Sequence, residues 1–484
     1  MITVGFCTRK NDGQYIAHLK DKSYWDSEII CIENDGTKSL TSCYNEILDR
    51  ASNDIVLLIH DDLILPKSFD KTLYEHFQSS DYGILGVAGT NELNENCVWW
   101  HKRNLMTGSV WHISQGKEHQ SKYSPPNDII NEVAVIDGLF IGVHKKRIEN
   151  RFNEKINGFH FYDISFCLDN KNVKKGVFFY SKLVHKSVGQ VNEGWHQNRV
   201  IVSEMYKDML PYRVIPQIHI PQFDKKTSDD DSVAVIIPSK NNFSYLRRCV
   251  DSIIKHTQHS NYKIFYADTG SYSSDIDSFE KDYPQVKVIR YDYYHYGKIN
   301  NDVVRNYADK FRYLLFCNDD IIFLNDVISQ MLHVHTSQKN VGTTGARLYY
   351  ENNTIQHAGI RTFIDNRGML NISHEGLGTY HNFSLKNERK IGNTAALLMI
   401  KKTNFTRVKG FIENNEECFE DVILNLKMID LKLENIFVGS AVAYHTESVS
   451  RKKDKEKSNK EMRDYTKFLL PLFKVGYNSY KKYI

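Results

Sequence analysis

A chain of 484 residues suggests two or three domains, and its 41% hydrophobic and 12% aromatic content is enough to bury proper cores, which excludes a disordered polymer. Net charge is only +4, and eleven Lys/Arg against four Asp/Glu fall between Arg451 and Ile484, so the body is near neutral and nucleic-acid binding gets little support. No run approaches the ~20 apolar residues of a spanning helix, no signal peptide is evident, and the eight cysteines lack a C-x-x-C pair. An intracellular protein without a zinc site or disulfide framework is expected.

In chain order, strand-like "ITVGFCTRKN" (2–11) is followed by "EIICIENDGT" (28–37) and "IVLLIHDDLIL" (55–65), where His60, Asp61 and Asp62 interrupt an apolar run. "VAVIDGLFIGVHKK" (133–146), "INGFHFYDISFCL" (156–168) and "FFYSKLVHKSVG" (178–189) come next. The Pro- and charge-rich "IPQIHIPQFDKKTSDDDS" (215–232) reads as a linker. The same series then recurs as "VAVIIPSKNN" (233–242), "KIFYADTGSY" (263–272), "YLLFCNDDIIFL" (313–324), "RKIGNTAALLMIKK" (389–402), "VKGFIENNEECFEDVILNL" (408–426) and "IFVGSAVAYHTESVS" (436–450).

Spacing supports the repeat more than the short strings do. Asp62 to Asp163 is 101 positions, and Asp320 to Asp421 is also 101. A histidine follows 22 positions later as His185 and 24 positions later as His445. One fold written twice is the reading, with domains at 1–222 and 233–450, a linker at 223–232 and a basic amphipathic tail at 451–484. Each half alternates apolar strands with amphipathic stretches such as "YLRRCVDSIIKHT", which implies an α/β class and a parallel sheet covered on both faces. Ligands in such sheets bind beyond the carboxyl ends of the strands, where Asp35, Asp268 and both acidic pairs fall.

Carboxylates ending a buried strand are costly unless something compensates them. Mg²⁺ or Mn²⁺ does so, taking one or two carboxylates plus phosphate oxygens. An ordinary Asp-Asp turn is the bland alternative, and the doubled spacing argues against it.

The motifs "FCNDDIIF", "GNTAALLMIKK", "GFIENNEECFEDVILNLKM" and "FVGSAVAYHTESVSR" resemble the inverting GT-A glycosyltransferases of family 2. The likeness covers nearly the whole chain to about residue 451, in tandem, as in bacterial capsule and O-antigen synthesis. It implies two GT-A (Rossmann-like) domains. It implies also that Pro238, Ser239 and Asp268 shape a nucleotide pocket and that Asp319 and Asp320 form the DXD-type motif, with Asp320 the metal ligand. Glu420 and Asp421 match the acidic pair that supplies the catalytic base, with Asp421 favoured. His445 matches a late histidine near metal and diphosphate, and Arg451 a donor to the diphosphate. In the first half the matching positions are Thr8, Arg9, Asp35, Asp61, Asp62, Asp163 and His185. The first half departs in Tyr162, which replaces the first acid of the pair, and Arg451 has no evident partner there.

The function implied is a bifunctional, metal-dependent (Mn²⁺ or Mg²⁺), inverting glycosyltransferase of hexosyl or N-acetylhexosaminyl type. Its donor would be a nucleoside diphosphate sugar, expected to be UDP-linked, and its acceptor an oligosaccharide or lipid-linked surface glycan. The alternatives are one active second half beside a noncatalytic acceptor-binding first half, or a sugar nucleotidyltransferase. The latter should open with a Gly- and basic-rich phosphate loop, which neither "GFCTRKNDG" nor "IIPSKNN" supplies. Trp99, Trp100, Trp111 and Trp195 are candidates for stacking on acceptor sugars or for packing, and "YDYYHYGKIN" (291–300) for a sugar-binding loop or a packing cluster. The tail suits either an anionic membrane surface, giving a cytoplasmic protein with peripheral inner-membrane contact, or packing on the body.

Overall fold

The run Val233–Ser239 is apolar at almost every position and forms a strand buried along its whole length. Val233, Val235 and Ile237 enter one core while Ala234 and Ile236 enter another, as a two-residue period requires of a strand covered on both faces. Helix Phe243–His256 follows, burying Leu246, Cys249, Val250 and Ile253 at helical spacing. Strand Tyr262–Asp268 then pairs parallel with the first strand, ending at Ser239 opposite Asp268. Strand Tyr313–Cys317 pairs parallel on its other side.

The first unit is built the same way. Thr3–Thr8 lies between Glu28–Glu33 and Ile55–His60 and runs parallel to both. In each unit the chain therefore adds a strand on one side of the opening strand and then switches to the other. The crevice at that switch lies at the carboxyl ends of the strands, where both acidic pairs emerge.

This computed structural model describes residues 1–446 except 12, 115, 125–129, 188, 190, 365–369, 381–385 and 414–418. Arg451 and the basic tail lie outside the described residues. No helix among the described residues is long and apolar enough to cross a membrane.

Two features differ from the sequence reading. The sheets are mixed rather than wholly parallel: Phe140–His144 runs antiparallel to Ile55–His60, and Leu397–Lys401 antiparallel to Tyr313–Cys317. A fully buried apolar run has the same composition in either direction, so direction was not written in it. The chain also divides at Gln217/Ile218, with Tyr380 grouped with the first unit. Part of the stretch read as a linker is laid onto the second unit. Ile218 packs beside Tyr349 and Ile355, the Pro221 carbonyl accepts from Asn325 Nδ2 at 2.9 Å, and the Phe223 ring lies 5.8 Å from that of His333.

Candidate active sites

In the second unit, Asn318, Asp319 and Asp320 leave strand Tyr313–Cys317 at the switch crevice. The Asn318 N–H donates to the Ala396 carbonyl at 2.9 Å, which pins the start of the turn. Asp319 faces the opening strand: its Oδ2 accepts from Ser239 Oγ and, at 3.1 Å, from Asn242 Nδ2. Burial pushes Asp319 up to about 6 despite those two donors. Asp320 instead meets His445, with Oδ1 3.2 Å from Nε2. Both residues are only 7% exposed. Register brings them together, because Ile321 pairs with His445 where Ile321–Phe323 runs antiparallel to Glu434–His445.

Asp421 opens helix Glu420–Asp430, which begins after Phe419 in the left-handed region (φ 70°). Its Oδ2 accepts from the Ala395 N–H at 3.1 Å and its Oδ1 from the Val422 N–H at 2.7 Å. The Ala395 carbonyl accepts from Tyr296 Oη at 2.9 Å. Asn425 Nδ2 donates to the Asp421 and Asn393 carbonyls, which ties the helix to the same loop. The dipeptide Ala395-Ala396 thus bonds the candidate base with one residue and the acidic turn with the other.

The first unit repeats this bonding. The His60 N–H donates to the Leu139 carbonyl at 3.2 Å. Asp163 follows a left-handed Phe161 (φ 64°), and it accepts from the Gly138 N–H at 2.8 Å and the Ile164 N–H at 2.9 Å. Asp62 Oδ1 lies 3.2 Å from His185 Nε2. Burial pushes the Asp62 carboxyl up, but the contacts from His185 and Ser187 outweigh it and hold the group down at about 2. Gly138-Leu139 is the counterpart of Ala395-Ala396, one residue away from the pairing that the aligned strings suggested.

A second register point corrects the sequence reading. Ser239 pairs with Asp268, and its counterpart Thr8 pairs with Glu33. The place of Asp268 is therefore taken by Glu33, not by Asp35, which lies exposed two residues further on and accepts from the Thr37 N–H. Setting 28–37 against 263–272 position for position likewise places Glu33 opposite Asp268.

The remaining expected residues are placed as follows. Asp268 lines a cavity of about 440 Å³ with Gly270, Ser271, Arg290, Tyr291 and Asp292. Its two oxygens already accept from Tyr266 Oη and from the Gly270 and Ser271 N–H groups. Pro238 is buried in the opening strand, Thr8 is half-buried, and Arg9 and Asp61 are exposed. Glu420 is buried beside Asp421. Trp99 is buried and Trp100 is 44% exposed. The Trp195 ring lies 5.8 Å from that of Trp100 and 5.2 Å from that of Phe161. Within the tyrosine run, Tyr293 and Tyr294 are exposed whereas Tyr296 is buried in the bracing role above.

The structure adds residues that the sequence reading did not select. His60 Nε2 lies 2.8 Å from Tyr162 Oη. Donor atoms of His60, Asp62 and His185 all fall within 4.8 Å of one another, close enough to share one ion. Alignment with Asn318 was the available signal for His60, and only the fold shows that Tyr162 reaches it. A Cβ on Gly138 would stand 2.2 Å from the Tyr162 hydroxyl. Gly138→Ala should therefore displace Tyr162 and lower stability by ~1–3 kcal/mol, read from a denaturation midpoint; an unchanged midpoint would show that the ring moves freely.

Burial and the nearby Asp137 carboxylate push Asp163 up to about 7, against the lowering bonds from Gly138 and Ile164. A carboxyl that binds its proton more tightly folded than unfolded costs stability as pH rises from about 4 to about 7, and that cost is fully present above 7. Asp163→Asn gives up one of the two accepted N–H bonds at either pH but removes this charge, so its effect on stability should be more favourable at pH 8 than at pH 4 by up to ~4 kcal/mol. Thermal unfolding at the two pH values measures this, and equal shifts would contradict it.

Residues 10–209 match the family described as Glycosyltransferase like family, and residues 234–401 match Glycosyl transferase family 2. Together these segments take in most of the chain. The chain carries two tandem domains of the glycosyltransferase family 2 type. The chain is 31% identical over 229 residues to the uncharacterized protein y4gI of Sinorhizobium fredii, covering 45% of the chain and 25% of that relative. It is 23% identical over 233 residues to the O-antigen biosynthesis protein RfbC of Myxococcus xanthus, covering 46% of the chain and 18% of the relative. It is 29% identical over 123 residues to the streptomycin biosynthesis protein StrF of Streptomyces griseus, covering 24% of the chain and 41% of the relative. The chain thus spans less than half the length of these curated relatives. Among solved structures, GalNAc-T7 with UDP, GalNAc and Mn²⁺ aligns at a TM-score of 0.38 with 16% identity, covering 45% of this chain and 44% of the other. The mannosyltransferase PcManGT of Pyrobaculum calidifontis with GDP-Man and Mn²⁺ aligns at 0.33 with 11% identity, covering 45% and 57%. Likenesses this slight carry no argument about this chain.

Proposed function

We propose that the tandem glycosyltransferase is bifunctional, each unit moving a sugar from a nucleoside diphosphate donor to a hydroxyl of a growing bacterial surface glycan with inversion. The observation that carries this reading is the repeated bonding of Asp163 and Asp421, each held by a loop N–H and by the N–H of the next residue in its own helix. Two donors fix each carboxylate in place while leaving it acceptor capacity for a substrate hydroxyl.

In this reading Asp421 and Asp163 remove the acceptor proton as the oxygen attacks the anomeric carbon opposite the diphosphate. Single displacement needs no covalent nucleophile. Asp320 with His445, and Asp62 with His185 and His60, are the residues that would hold a divalent ion, Mn²⁺ or Mg²⁺. When bound, such an ion neutralises charge on the departing diphosphate. The donor set fits it: a carboxylate and an imidazole meet at 3.2 Å in each unit. Pro238, Ser239, Asp268 and Asp319 serve the nucleotide of the second unit, with Thr8, Arg9, Glu33 and Asp61 in the corresponding region of the first. Arg451 is assigned to the diphosphate by the family resemblance alone.

The donor is expected to be UDP-linked and the acceptor an oligosaccharide or lipid-linked glycan at the cytoplasmic face of the inner membrane. The name of the RfbC relative supports an O-antigen-like product. Transfer from a panel of nucleotide sugars onto such acceptors, with and without Mn²⁺, tests the reading. Consumption of one donor species by each unit is the expected result; no transfer from any donor would overturn it.

A further inference from the structure

The two units place different side chains at one position beside the acid and the late histidine. We infer that the first unit holds a nitrogen-rich cation site selecting a late first-row divalent ion over Mg²⁺, that the second unit accepts Mg²⁺, and that His60 sets the difference. The inference rests on the reading above, that each unit binds a divalent ion.

In the first unit His60, Asp62 and His185 offer two imidazoles and one carboxylate, with donor atoms within 4.8 Å of one another. In the second unit Asn318 stands in the place of His60, beside Asp320 and His445, its amide Nδ2 3.4 Å from His445 Nε2. An amide binds a cation through its carbonyl oxygen, so the second set offers one nitrogen and two oxygens where the first offers two nitrogens and one oxygen. Mg²⁺ takes hard oxygen donors in strict octahedral geometry and gives up water reluctantly. Imidazole favours the ions from Fe²⁺ and Co²⁺ to Zn²⁺, with affinity rising to Cu²⁺ and falling again at Zn²⁺.

The surroundings of His60 support a ligand role. The Tyr162 hydroxyl lies 2.8 Å from Nε2, which orients the ring as an outer partner does at an ion site. His185 Nε2 lies 3.1 Å from Ser187 Oγ. Further imidazoles flank the late histidine in both units, His112 with its ring 5.8 Å from that of His185 in the first and His357, its ring 4.7 Å from that of His374, near His445 in the second, so the difference between the sites rests on His60 against Asn318.

The change also comes as a set. His60, Tyr162 and Gly138 in one unit stand where Asn318, Glu420 and Ala395 stand in the other. Gly138 is the residue that leaves space for the Tyr162 hydroxyl, since a Cβ would lie 2.2 Å from it. A histidine that had merely drifted from asparagine would not require a glycine elsewhere to seat its partner.

The test is Mn²⁺ binding to the full chain, followed by the paramagnetic resonance signal of the free ion, with Co²⁺ or Mg²⁺ as competitor. Two bound ions per chain are expected, one displaced by Co²⁺ but resistant to Mg²⁺, and one displaced by both. His60→Asn should reduce the Co²⁺-over-Mg²⁺ preference of the first site at least ~10-fold, with His60→Gln, which can still reach Tyr162, as a second variant. Asn318→His should raise that preference in the second site by a similar factor, and as a gain it does not depend on His60 variants folding. Competition curves unmoved by both the His60 and the Asn318 changes would overturn the inference. If Asp62→Ala and Asp320→Ala then each still remove one bound ion, the bifunctional reading survives that failure. If neither removes an ion, or no saturable Mn²⁺ binding is found, the reading and the inference fall together.

Discussion

Asp421→Asn is expected to lower transfer by the second unit by ~10²–10⁴-fold while changing donor affinity only slightly. Asparagine keeps one oxygen, which can accept from the Ala395 N–H and hold the loop, and gives up the bond from the Val422 N–H at the helix start. What it loses is the ability to take a proton from the acceptor hydroxyl. The effect belongs in kcat and not in donor binding, because the interaction removed is one made in the transition state. Single-turnover transfer beside donor calorimetry separates the two quantities. A kcat within tenfold of the parent would remove Asp421 from the role of base. Glu420→Gln should cost much less, since Tyr162 fills that position in a unit whose remaining bonding is the same.

Asp62→Ala and Asp320→Ala should each abolish one transfer, by ~10²–10³-fold, and leave the other intact. Each aspartate pairs with the histidine of its own unit at 3.2 Å, so each deletion empties one acid–imidazole pair without touching its counterpart. Donor depletion assayed sugar by sugar gives the result directly. Loss of a single donor activity in each variant establishes two independent sites. If Asp62→Ala alters no transfer, the first unit is not catalytic and serves the acceptor instead. That outcome would give Tyr162, in the place of Glu420, a plain meaning.

The doubled spacing of 101 residues was readable in the primary structure because both units conserve the path from acidic turn to helix start. Asp62 with His185 and Asp320 with His445 were legible for the same reason. Glu33 stands opposite Asp268 when 28–37 is set against 263–272 position for position, and strand register agrees; Asp35 matches only in being an aspartate. Gly138 and Ala395 were hidden by a one-residue offset between otherwise similar strings. The bond between Tyr162 and His60 spans 102 positions, and no local pattern announces such a contact.

Taken alone, the sequence determined the repeat, the α/β alternation, the carboxyl-end placement of the acids and the near-neutral body. These follow from periodicity, composition and distance along the chain, all of which are local or additive quantities. Only the tertiary structure decided that the sheets are mixed, that one loop dipeptide holds both the acidic turn and the base, and that His60 meets Tyr162 beside Asp62 and His185. Such matters depend on which residues meet across strands far apart in the chain, and register, not letter order, sets those meetings.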